Sequence, residues 1–517
     1  MIDCIRARRH TLPDMLRRTA QRFPGKVAIL CGSVRWTYAE LEALTGRLAA
    51  GLAASGLAPG DRVGVLARNS HAFVALRLAL GRLGATLVPL NVMLKAEEVA
   101  FILDHAGVSA LAVDSGLAGL AQAAAKIKPV DRMIWLPSEA PSEAAAGMLD
   151  FHTLCDCTDA PPEPLSDDRF PLQIMYTSGT ESRPKGAVFT HEAVLWHYVS
   201  VVLDAEVDPG DVMLHALPLF HCAQLDAFLG PGLYRGATNV ITAHPTPESL
   251  LALIRTHEIN SFFAPPTVWL GLLHAPQFDP ARLASLAKGY YGASIMPIEV
   301  LKRLMERLPW VRWWNLYGQT EIAPVATALK PEDQQRKPGS CGRPVTHVET
   351  RVVDESMRDA AVGEVGEIVH RSPHLMQGYY QDEERTAAAF AGGWFHSGDL
   401  ATVDAEGYIS VVDRKKDMIK TGGENVASRE VEEMIYRLRA VREVAVIGLP
   451  DPKWVEAVTA VIVLRDEHPL NAEQVLTHCR DYLAGFKCPK RVIFTEALPK
   501  SPSGKILKRE LRSRYGS

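Results

Sequence analysis

The sequence predicts an α/β protein with a large N-terminal domain, made of parallel α/β sheets plus a barrel-like part, and a small α+β domain at the C-terminal end. Three observations lead to this fold class. Strand and helix patterns alternate up to about residue 340, short Gly-punctuated strands follow, and a compact α+β pattern closes the chain. Strict alternation implies mostly parallel sheets that helices cover on both faces. The length of 517 residues is enough for roughly three folding units.

The first 130 residues read as strand and helix in rotation. Thr37 and Glu40 form a capping box, which opens a helix that Gly56 ends. The segment 138–168 is rich in Ala, Pro, Ser and acidic residues, which predicts a surface loop. The alternation of strands and helices resumes after it. Thr246 caps one of the later helices, with Pro247 in its first turn. The remaining helices in this part are predicted at 70–83 and 97–105, and the strands at 62–66, 85–89, 110–114, 172–175, 212–217, 239–242, 261–264 and 311–317.

The predicted pattern of secondary structure changes twice in the last third of the chain. Strands at 345–354, 364–371 and 408–412 are short and alternating, which is typical of an antiparallel barrel. Strands at 444–448 and 458–464 lie among helices that Ser428 and Asn471 cap. The barrel-like strands and the α+β segment are separated by a run of charged residues, Asp413-Arg414-Lys415-Lys416-Asp417. We place the domain boundary there, which gives a domain 1–413, a hinge 414–418 and a domain 419–517.

Composition and charge exclude several classes of protein. A hydrophobic content of 47% and a charged content of 22% are ordinary for a soluble protein, and a net charge of −4 gives no reason to expect a nucleic-acid partner. Eight cysteines in 517 residues are too sparse for a disulfide framework and indicate thiols in a reducing cytoplasm. No apolar stretch reaches eighteen residues and residues 1–10 lack a signal-peptide pattern, so we expect a cytoplasmic protein without a membrane span.

The most informative stretch is Tyr176-Thr177-Ser178-Gly179-Thr180-Glu181-Ser182-Arg183-Pro184-Lys185-Gly186, which follows a buried strand. Small residues let backbone N–H groups approach an anion, hydroxyl groups donate, and a lysine adds charge, so the stretch suits phosphate oxygens. It is not the common nucleotide-triphosphate loop, because Pro184 stands where that loop requires glycine. From these residues alone, a polar surface turn remains an alternative.

Four other stretches carry the residue types that bind a magnesium-nucleotide. Two of them end predicted strands in glycine turns, where ligands of open α/β sheets sit. Together they offer an aromatic face, amide and hydroxyl donors, carboxylates and a lysine. They are Tyr290-Tyr291-Gly292-Ala293-Ser294, Asn315-Leu316-Tyr317-Gly318-Gln319-Thr320-Glu321, Trp394-Phe395-His396-Ser397-Gly398-Asp399-Leu400 and Pro499-Lys500-Ser501-Pro502-Ser503-Gly504-Lys505.

In this order, the motifs resemble those of the adenylate-forming superfamily, which includes acyl-CoA synthetases, aryl-CoA ligases, beetle luciferases and peptide-synthetase adenylation domains. The resemblance covers essentially the whole chain. It implies a mobile C-terminal domain and two half-reactions. A carboxylate first attacks the α-phosphate of ATP to give an acyl-adenylate and pyrophosphate, and a thiol, usually that of coenzyme A (CoA), then takes the acyl group and releases AMP.

The resemblance also assigns roles to single residues. It places Thr177, Ser178, Gly179, Thr180 and Lys185 on the β- and γ-phosphates. It places Tyr317 on the adenine ring, Gly292 and Ala293 against the other face, and Asn315 near the edge of the ring. It also counts Ser294, Gly318 and Gln319 among the residues that bind the nucleotide. It implies that Thr320 contacts the α-phosphate and that Glu321 and Thr180 bind the Mg²⁺ ion. It implies that Asp399 and Arg414 bind the ribose. Lys505 would supply the catalytic positive charge between the attacking carboxylate and the α-phosphate.

Further assignments concern the second half-reaction and the acyl group. Lys416 matches the hinge, and Lys420, Gly422 and Gly423 match the loop that lines the tunnel for the pantetheine arm of CoA. His221, in Phe220-His221-Cys222, matches the gate of the acyl pocket, although a packed core histidine fits the residues equally well. The phosphate loop departs from the family pattern at Glu181-Ser182-Arg183, where an acid beside a triphosphate is unfavourable unless it faces away, pairs or helps to place the metal.

The acyl substrate is the least determined feature. The predicted pocket is apolar and offers no cation for a second carboxylate, so we expect a fatty acid of medium or greater chain length, with an aryl-propenoic (cinnamate-type) acid as the alternative. Loading of a separate carrier protein, a luciferase-like oxygenase and a nucleotide-binding regulator without catalysis are further alternatives. The sequence does not decide the oligomeric state, a homodimer included.

Overall fold

The computed structural model describes residues 2–139, 143–165, 167–177, 184–294, 296–415, 417–421, 424–465, 469–502 and 504–516. The helices of this part are α1 Ile2–Arg8, α2 Leu12–Arg22, α3 Tyr38–Ala54, α4 His71–Leu83, α5 Ala96–His105, α6 Ala118–Ile127, α7 Phe151–Cys155, α8 His191–Asp204, α9 Cys222–Gln224, α10 Gly230–Arg235, α11 Pro247–Thr256, α12 Pro266–His274, α13 Ile298–Arg307, α14 Glu383–Ala389, α15 Ser428–Tyr436, α16 Ala472–Tyr482 and α17 Lys508–Tyr515. The strands are β1 Val27–Cys31, β2 Val34–Thr37, β3 Arg62–Leu66, β4 Thr86–Pro89, β5 Ala110–Asp114, β6 Arg132–Leu136, β7 Leu149–Asp150, β8 Pro171–Thr177, β9 Lys185–Thr190, β10 Val212–His215, β11 Thr238–Ile241, β12 Ser261–Phe263, β13 Lys288–Gly292, β14 Arg312–Tyr317, β15 Thr327–Leu329, β16 Arg343–Pro344, β17 Glu349–Val353, β18 Gly366–Arg371, β19 Gly378–Tyr379, β20 Phe395–Val403, β21 Ile409–Arg414, β22 Ile419–Thr421, β23 Glu424–Val426, β24 Val441–Asp451, β25 Val455–Leu464 and β26 Arg491–Phe494.

Two large sheets form the body of the N-terminal part. One has the order β16-β15-β14-β13-β12-β10-β11-β1-β2, and the other has the order β19-β9-β8-β4-β3-β5-β6-β7. Their central strands are parallel and antiparallel pairs lie only towards the edges. The predicted α/β rotation is therefore confirmed. Helix α4 contacts β1 of the first sheet and β4 of the second, and it is buried along nearly its whole length, which explains its apolar character on every side.

A buried ion pair ties α4 to the segment that follows His221. Arg77 of α4 pairs with Asp226, whose carboxylate also accepts hydrogen bonds from Gln173 and Tyr198 at 2.7 and 3.2 Å. The buried carboxylate is tolerated because it pairs with Arg77 and accepts hydrogen bonds from two further side chains. The pair fixes the π-helical turn Leu225–Leu229, which lies directly behind the candidate site.

The third part of the N-terminal region is the predicted antiparallel, barrel-like unit. Strands β17, β18, β20 and β21 pair in this order, and all three pairs are antiparallel. The β20–β21 pair sets Asp399 opposite Arg414, although the two residues are fifteen positions apart. Glycine at 398 adopts a φ of 70°, which is the left-handed turn that places the acid at the strand end.

The C-terminal part is a sheet of β23, β22, β25 and β24, with β26 beside β25 and helices α15, α16 and α17 around it. Asn471 caps α16 as predicted, with its side chain accepting from the N–H of Gln474. The prediction that Ser428 caps α15 was wrong. Ser428 is the first helical residue, and its hydroxyl donates instead to Asp413 at 2.7 Å, because a buried carboxylate at the end of β21 is within reach.

A second difference concerns the residues after the predicted phosphate stretch. The sequence pattern predicts a helix that Thr190 opens, and it does not indicate a strand between Lys185 and Thr190. The helix and its Thr190 cap are present, but Lys185–Thr190 forms β9, which pairs antiparallel with β8 and sets Thr177 opposite Lys185. Residues 178–183 and 416, the predicted hinge, lie outside the described residues, so the boundary at 414–418 stays a prediction.

Candidate active site

The candidate site lies at the carboxyl ends of β13 and β14. In their parallel register Gly292 faces Leu316, and a β-carbon at 292 would lie only 2.3 Å from the carbonyl oxygen of Leu316. Only glycine allows this close approach. Ala293 follows with a left-handed φ of 61°, so the chain turns sharply away from the sheet. Asn315 donates to the carbonyl of Ser340 at 2.9 Å, which anchors β14 to the next segment.

Tyr317, at the end of β14, joins this edge to the barrel-like unit. Its hydroxyl donates to Asp399 at 2.7 Å, and Asp399 also pairs with Arg414 at 3.3 Å. Burial, followed by the charge of Asp399, raises the pKa of Tyr317 well above its usual value, so the phenol keeps its proton. The predicted adenine and ribose residues are thus in direct contact although 82 positions separate them.

The turn after β14 carries Thr320 and Glu321 in a short 3₁₀ segment. Glu321 accepts a hydrogen bond from the hydroxyl of Tyr379 at 2.9 Å, and the ammonium group of Lys185 lies 5.2 Å from the centre of the Tyr379 ring. This contact brings the predicted phosphate lysine and the predicted magnesium ligand to one place. Sequence reasoning missed Tyr379, because no local pattern distinguishes it from a packed aromatic residue.

His221 faces the same turn from the other side. It precedes α9, and its Nδ1 accepts from the N–H of Ala223 at 3.1 Å. The thiol of the next residue, Cys222, donates to the hydroxyl of Thr320 at 3.4 Å. Burial, and then the charge of Lys505, lowers the pKa of His221 to about 4, so the ring is neutral at pH 7 and carries its proton on Nε2.

The tail loop, Lys500 to Ile506, brings Lys505 to this position. Its ends form a bridge, and the N–H of Lys505 donates to the hydroxyl of Ser501 at 3.1 Å. Gly504 lies against the start of α12, where an added β-carbon would meet the hydroxyl of Thr267 at 2.6 Å and the ring of Pro265 at 3.0 Å. The tail loop is thus docked on the large domain through Gly504.

A cavity of about 300 Å³ lies between the tail loop and the ends of β10, β11 and β12. Apolar side chains such as Phe220 and Val268 line most of it, as the sequence predicts. Two cations also line it, contrary to the expectation of none, namely Arg68 and Lys500. Lys500 pairs with Glu443 at 2.8 Å, and Arg68 is exposed at the rim.

Behind the Gly292 turn, four buried aromatic side chains form a continuous column. Phe228 stacks on Phe263 with ring centres 4.4 Å apart, and Tyr290 lies 5.1 Å from Phe228. Trp314 stacks on Tyr290 at 5.0 Å. These residues come from the π-helical turn, β12, β13 and β14, and Phe263 also lines the cavity described above.

Several predicted residues are not tested by this geometry. Ser178, Gly179, Thr180, Lys416, Gly422 and Gly423 lie outside the described residues. Lys420 is exposed on β22 and its N–H donates to Glu456. Ser294, Gly318 and Gln319 lie in the turns beside Gly292 and Tyr317. Gly318 has no room for a side chain, because a β-carbon would meet the carbonyl oxygen of Pro324 at 1.9 Å.

The residues present fit a magnesium ion that a nucleotide brings with it. Magnesium prefers oxygen ligands and commonly takes one or two carboxylates, with phosphate oxygens and waters completing the shell. Glu321 supplies such a carboxylate beside Lys185 and Thr320. Within the described ranges no three His, Cys, Asp or Glu side chains are grouped to hold a metal by themselves, and no two cysteines form a disulfide.

Comparison with known proteins decides the family. The AMP-binding enzyme family matches residues 16–380, which is more than half of the chain. The chain belongs to this family. The C-terminal domain of AMP-binding enzymes matches residues 430–505, inside the small domain. The predicted adenylate-forming superfamily, the predicted fold class and the predicted class of enzyme, an AMP-forming acid–thiol ligase, are confirmed.

Relatives of this AMP-binding enzyme span its whole length. It is 38% identical to a feruloyl-CoA synthase of Amycolatopsis sp over 96% of this chain and 98% of that protein. It is 36% identical to the long-chain-fatty-acid–CoA ligase FadD13 of Mycobacterium tuberculosis over 97% of this chain and 98% of that one. The solved anthranilate CoA ligase AuaEII, in complex with anthranoyl-AMP, superposes with a TM-score of 0.90 at 26% identity, covering 98% of this chain and 97% of that one.

One further finding concerns membranes. In the part of this AMP-binding enzyme that is described, no helix combines the length and the apolar character that a bilayer crossing requires.

Proposed function

We propose that this AMP-binding enzyme uses ATP to join an aromatic carboxylic acid to coenzyme A through an acyl-adenylate. Relatives named as feruloyl-CoA synthase and indoleacetate–CoA ligase, at 38% and 34% identity, support ATP-dependent formation of acyl- or aryl-CoA. The observation that favours an aromatic acid is the buried column of Phe228, Phe263, Tyr290 and Trp314.

The column limits the depth of the acyl site. Of the four side chains, Phe263 lines the cavity, and Tyr290 stands two positions before Gly292, so we place the column at the far wall of the acyl site. All four side chains are at most 4% exposed, and the hydroxyl of Tyr290 donates to the carbonyl of Ala205 at 2.7 Å. A long alkyl chain would require this wall to open. A flat ring can instead stack against it, where aromatic pairs add about 0.5–1.5 kcal/mol.

In the first half-reaction, the substrate carboxylate oxygen attacks the α-phosphorus of ATP, and the bond from that phosphorus to the bridging oxygen breaks to release pyrophosphate. Lys505 stabilises the negative charge that builds between the two reactants, and Thr320 donates to the α-phosphate. Tyr317 and Asp399 hold the adenosine. A magnesium ion at Glu321 would neutralise phosphate charge.

In the second half-reaction, the thiolate sulfur of CoA attacks the acyl carbon, and the bond to the AMP oxygen breaks. The tail loop occupies one wall of the cavity beside His221, so we infer that this cavity receives the thiol arm once the loop has moved away. The mostly apolar lining suits a slim, uncharged arm, and Arg68 at the rim suits the phosphates of CoA.

A fatty acid of medium or greater chain length, our expectation from the sequence, is the second candidate. It is supported by the 36% identity to FadD13. Transfer to a carrier protein is a third arrangement, in which the same adenylate would meet a protein-bound thiol.

The test is a panel of carboxylic acids from C2 to C18, together with cinnamic, ferulic, indoleacetic and benzoic acids. Each is incubated with ATP, Mg²⁺ and either CoA or a carrier protein, and AMP and thioester are measured. We expect the highest kcat/KM for an aromatic acid with CoA. A preference for C12–C18 acids would reject the aromatic assignment, and the absence of acid-dependent AMP release for every acid would reject the ligase.

A further inference from the structure

A second, smaller pocket lies on the outer side of the candidate site. It has a volume of about 190 Å³ and is lined by residues of α5, the start of β9 and the segment from β19 to α14. We call it the outer pocket. Its polar lining consists of His105, Lys185, Tyr379, Tyr380, Asp382 and Arg385. None of these residues except Lys185 was singled out by the sequence motifs.

The outer pocket is built from connected side chains. Nδ1 of His105 lies 2.6 Å from the hydroxyl of Tyr176, and the ring of Tyr380 packs edge-on to His105 at 5.9 Å. On the opposite wall, Tyr379 makes the two contacts already described, with Glu321 through its hydroxyl and with Lys185 through its ring. The pocket therefore shares Lys185 and Tyr379 with the phosphate end of the candidate site.

Size and charge indicate the kind of ligand. A volume of 190 Å³ is below the range of about 300–1,000 Å³ that drug-sized ligands occupy. Lys185 and Arg385 bring two positive charges and Asp382 brings one negative charge, with Arg385 and Asp382 3.1 Å apart. Among the described residues, no carboxylate lies within salt-bridge distance of Lys185. Burial, followed by the charge of Glu321, raises the pKa of Tyr379, and the positive charge of Arg385 opposes this rise.

We propose that the outer pocket receives the pyrophosphate that leaves after adenylate formation, and that Arg385 binds it there. This rests on the proposed function, because only adenylation releases pyrophosphate in this protein. Lys185 lies at the boundary of the two spaces, so it can keep its contact with the anion while the anion moves outwards. The side chain of Arg385 is 46% exposed, which places it where the pocket meets solvent.

The test compares two exposed arginines in the full-length protein. Arg385→Ala removes the proposed ligand, and Arg385→Lys keeps its charge. Arg358→Ala is the control, because Arg358 also pairs with a nearby aspartate, Asp354 at 2.8 Å, but lies in the turn between β17 and β18. Acid-dependent ATP–pyrophosphate exchange gives the KM for pyrophosphate, and adenylation gives the KM for ATP. Both use whichever acid of the panel reacts fastest.

We expect Arg385→Ala to raise the KM for pyrophosphate about tenfold, which corresponds to the loss of one charge-assisted hydrogen bond, and to change the KM for ATP less than twofold. The KM for pyrophosphate of Arg385→Lys should lie between those of the wild type and Arg385→Ala, and the KM of Arg358→Ala should equal that of the wild type. Inhibition by added pyrophosphate weakens in parallel, whereas inhibition by orthophosphate or sulfate does not change.

Two outcomes overturn the proposal. An unchanged KM for pyrophosphate in Arg385→Ala would show that Arg385 does not bind the leaving pyrophosphate. Equal increases in the KM for ATP and the KM for pyrophosphate would show that Arg385 binds the triphosphate of ATP instead. Failure of the proposed function gives a different result, namely wild-type protein that shows no acid-dependent exchange. Thermal unfolding of each variant, compared with the wild type, separates a binding defect from a folding defect.

Discussion

Lys505 and His221 illustrate how single residues depend on one another in this site. His221 is half-buried. Burial, followed by the charge of Lys505, lowers its pKa to about 4, so the neutral ring does not repel the nearby ammonium group. The tail loop presents Lys505 through short contacts inside the loop, with the carbonyl of Lys505 accepting from Ser501 at 2.7 Å. A preorganised charge of this kind stabilises the transition state without the cost of reorientation.

We predict that Lys505→Ala reduces the adenylation rate by about 10²–10³, because one preorganised donor is worth about 3–4 kcal/mol. Conversion of supplied acyl-adenylate to thioester should persist, since the lysine acts on the phosphate. The two half-reactions are measured separately, by pyrophosphate release and by thioester formation.

The control for this change is Arg509→Ala, which removes an exposed cation of the same tail from α17. It should leave both half-reactions unchanged. If Lys505→Ala slowed both half-reactions equally, Lys505 would not have the assigned role.

Phe228 gives a second test at this scale. Phe228→Leu replaces one ring of the aromatic column with a smaller aliphatic side chain and so deepens the acyl site. We therefore expect the kcat/KM for octanoate, divided by that for the best aromatic acid, to rise about tenfold. One to two methylene groups of newly accommodated chain are worth about this much. Acid-dependent AMP release measures the ratio.

Phe151→Leu is the matched change away from the site, because Phe151 is buried in α7 and packs edge-on to His71 with ring centres 6.5 Å apart. It should cost similar stability without changing the preference for acids. The same change of preference in both variants would show a general loosening of the core and contradict the assignment of the column.

Contacts between elements hold the small domain in the orientation seen here. Arg429, on α15, donates to the carbonyl oxygens of Val411 and Gly339 in the large domain, the latter at 3.0 Å. Beside it, the carboxylate of Asp413 accepts from the N–H and the hydroxyl of Ser428, both at 2.7 Å, and Lys508 donates to the same hydroxyl. The contacts of Arg429 and the contacts between Asp413 and Ser428 join residues on the two sides of the predicted hinge, so a rotation there must break them.

We therefore predict that Arg429→Ala slows adenylation about tenfold, because two hydrogen bonds that favour the docked tail loop are lost. Thioester formation from supplied acyl-adenylate should not slow. Single-turnover measurements of each half-reaction provide the comparison. Arg437→Ala, at the exposed end of the same helix, serves as the control. A slower second half-reaction in Arg429→Ala would show that these contacts favour the other orientation.

The elements also show what the sequence could predict. The caps at Thr37, Thr246 and Asn471 are correct, because a cap involves only the next three residues. The strand Lys185–Thr190 was missed because its pairing depends on β8, and Ser428 was misassigned because Asp413 lies outside any local window. Tyr379 and the aromatic column were missed for the same reason, since each needs contacts between distant segments.

Across the whole molecule, buried histidines make stability depend on pH. Burial lowers the pKa of His71, His191 and His215 to about 4, and that of His370 and His374 to about 3. In the unfolded chain each titrates near 6.5. Because the unfolded state binds these protons first, stability is fully present above pH 6.5 and is lost as the pH falls towards 4.

We expect the melting temperature to change little between pH 7 and 8 and to fall steeply between pH 6.5 and 5, where each such histidine costs up to about 2 kcal/mol. Thermal unfolding across this range, followed by circular dichroism, measures the effect. Replacement of His370 by Gln should flatten the curve. A constant melting temperature down to pH 5 would contradict the prediction.

The packing of Gly504 against Pro265 and Thr267 has a consequence for how the enzyme could change. The tail reaches the large domain only because a side chain is missing at that position, so one methyl group would act as a spacer and hold the tail off. A single nucleotide change from glycine to alanine could thus separate the two chemical steps. A small molecule bound between Gly504 and the start of α12 would likewise keep the tail loop away from the large domain. This contact is therefore a site at which an inhibitor would act on adenylation selectively.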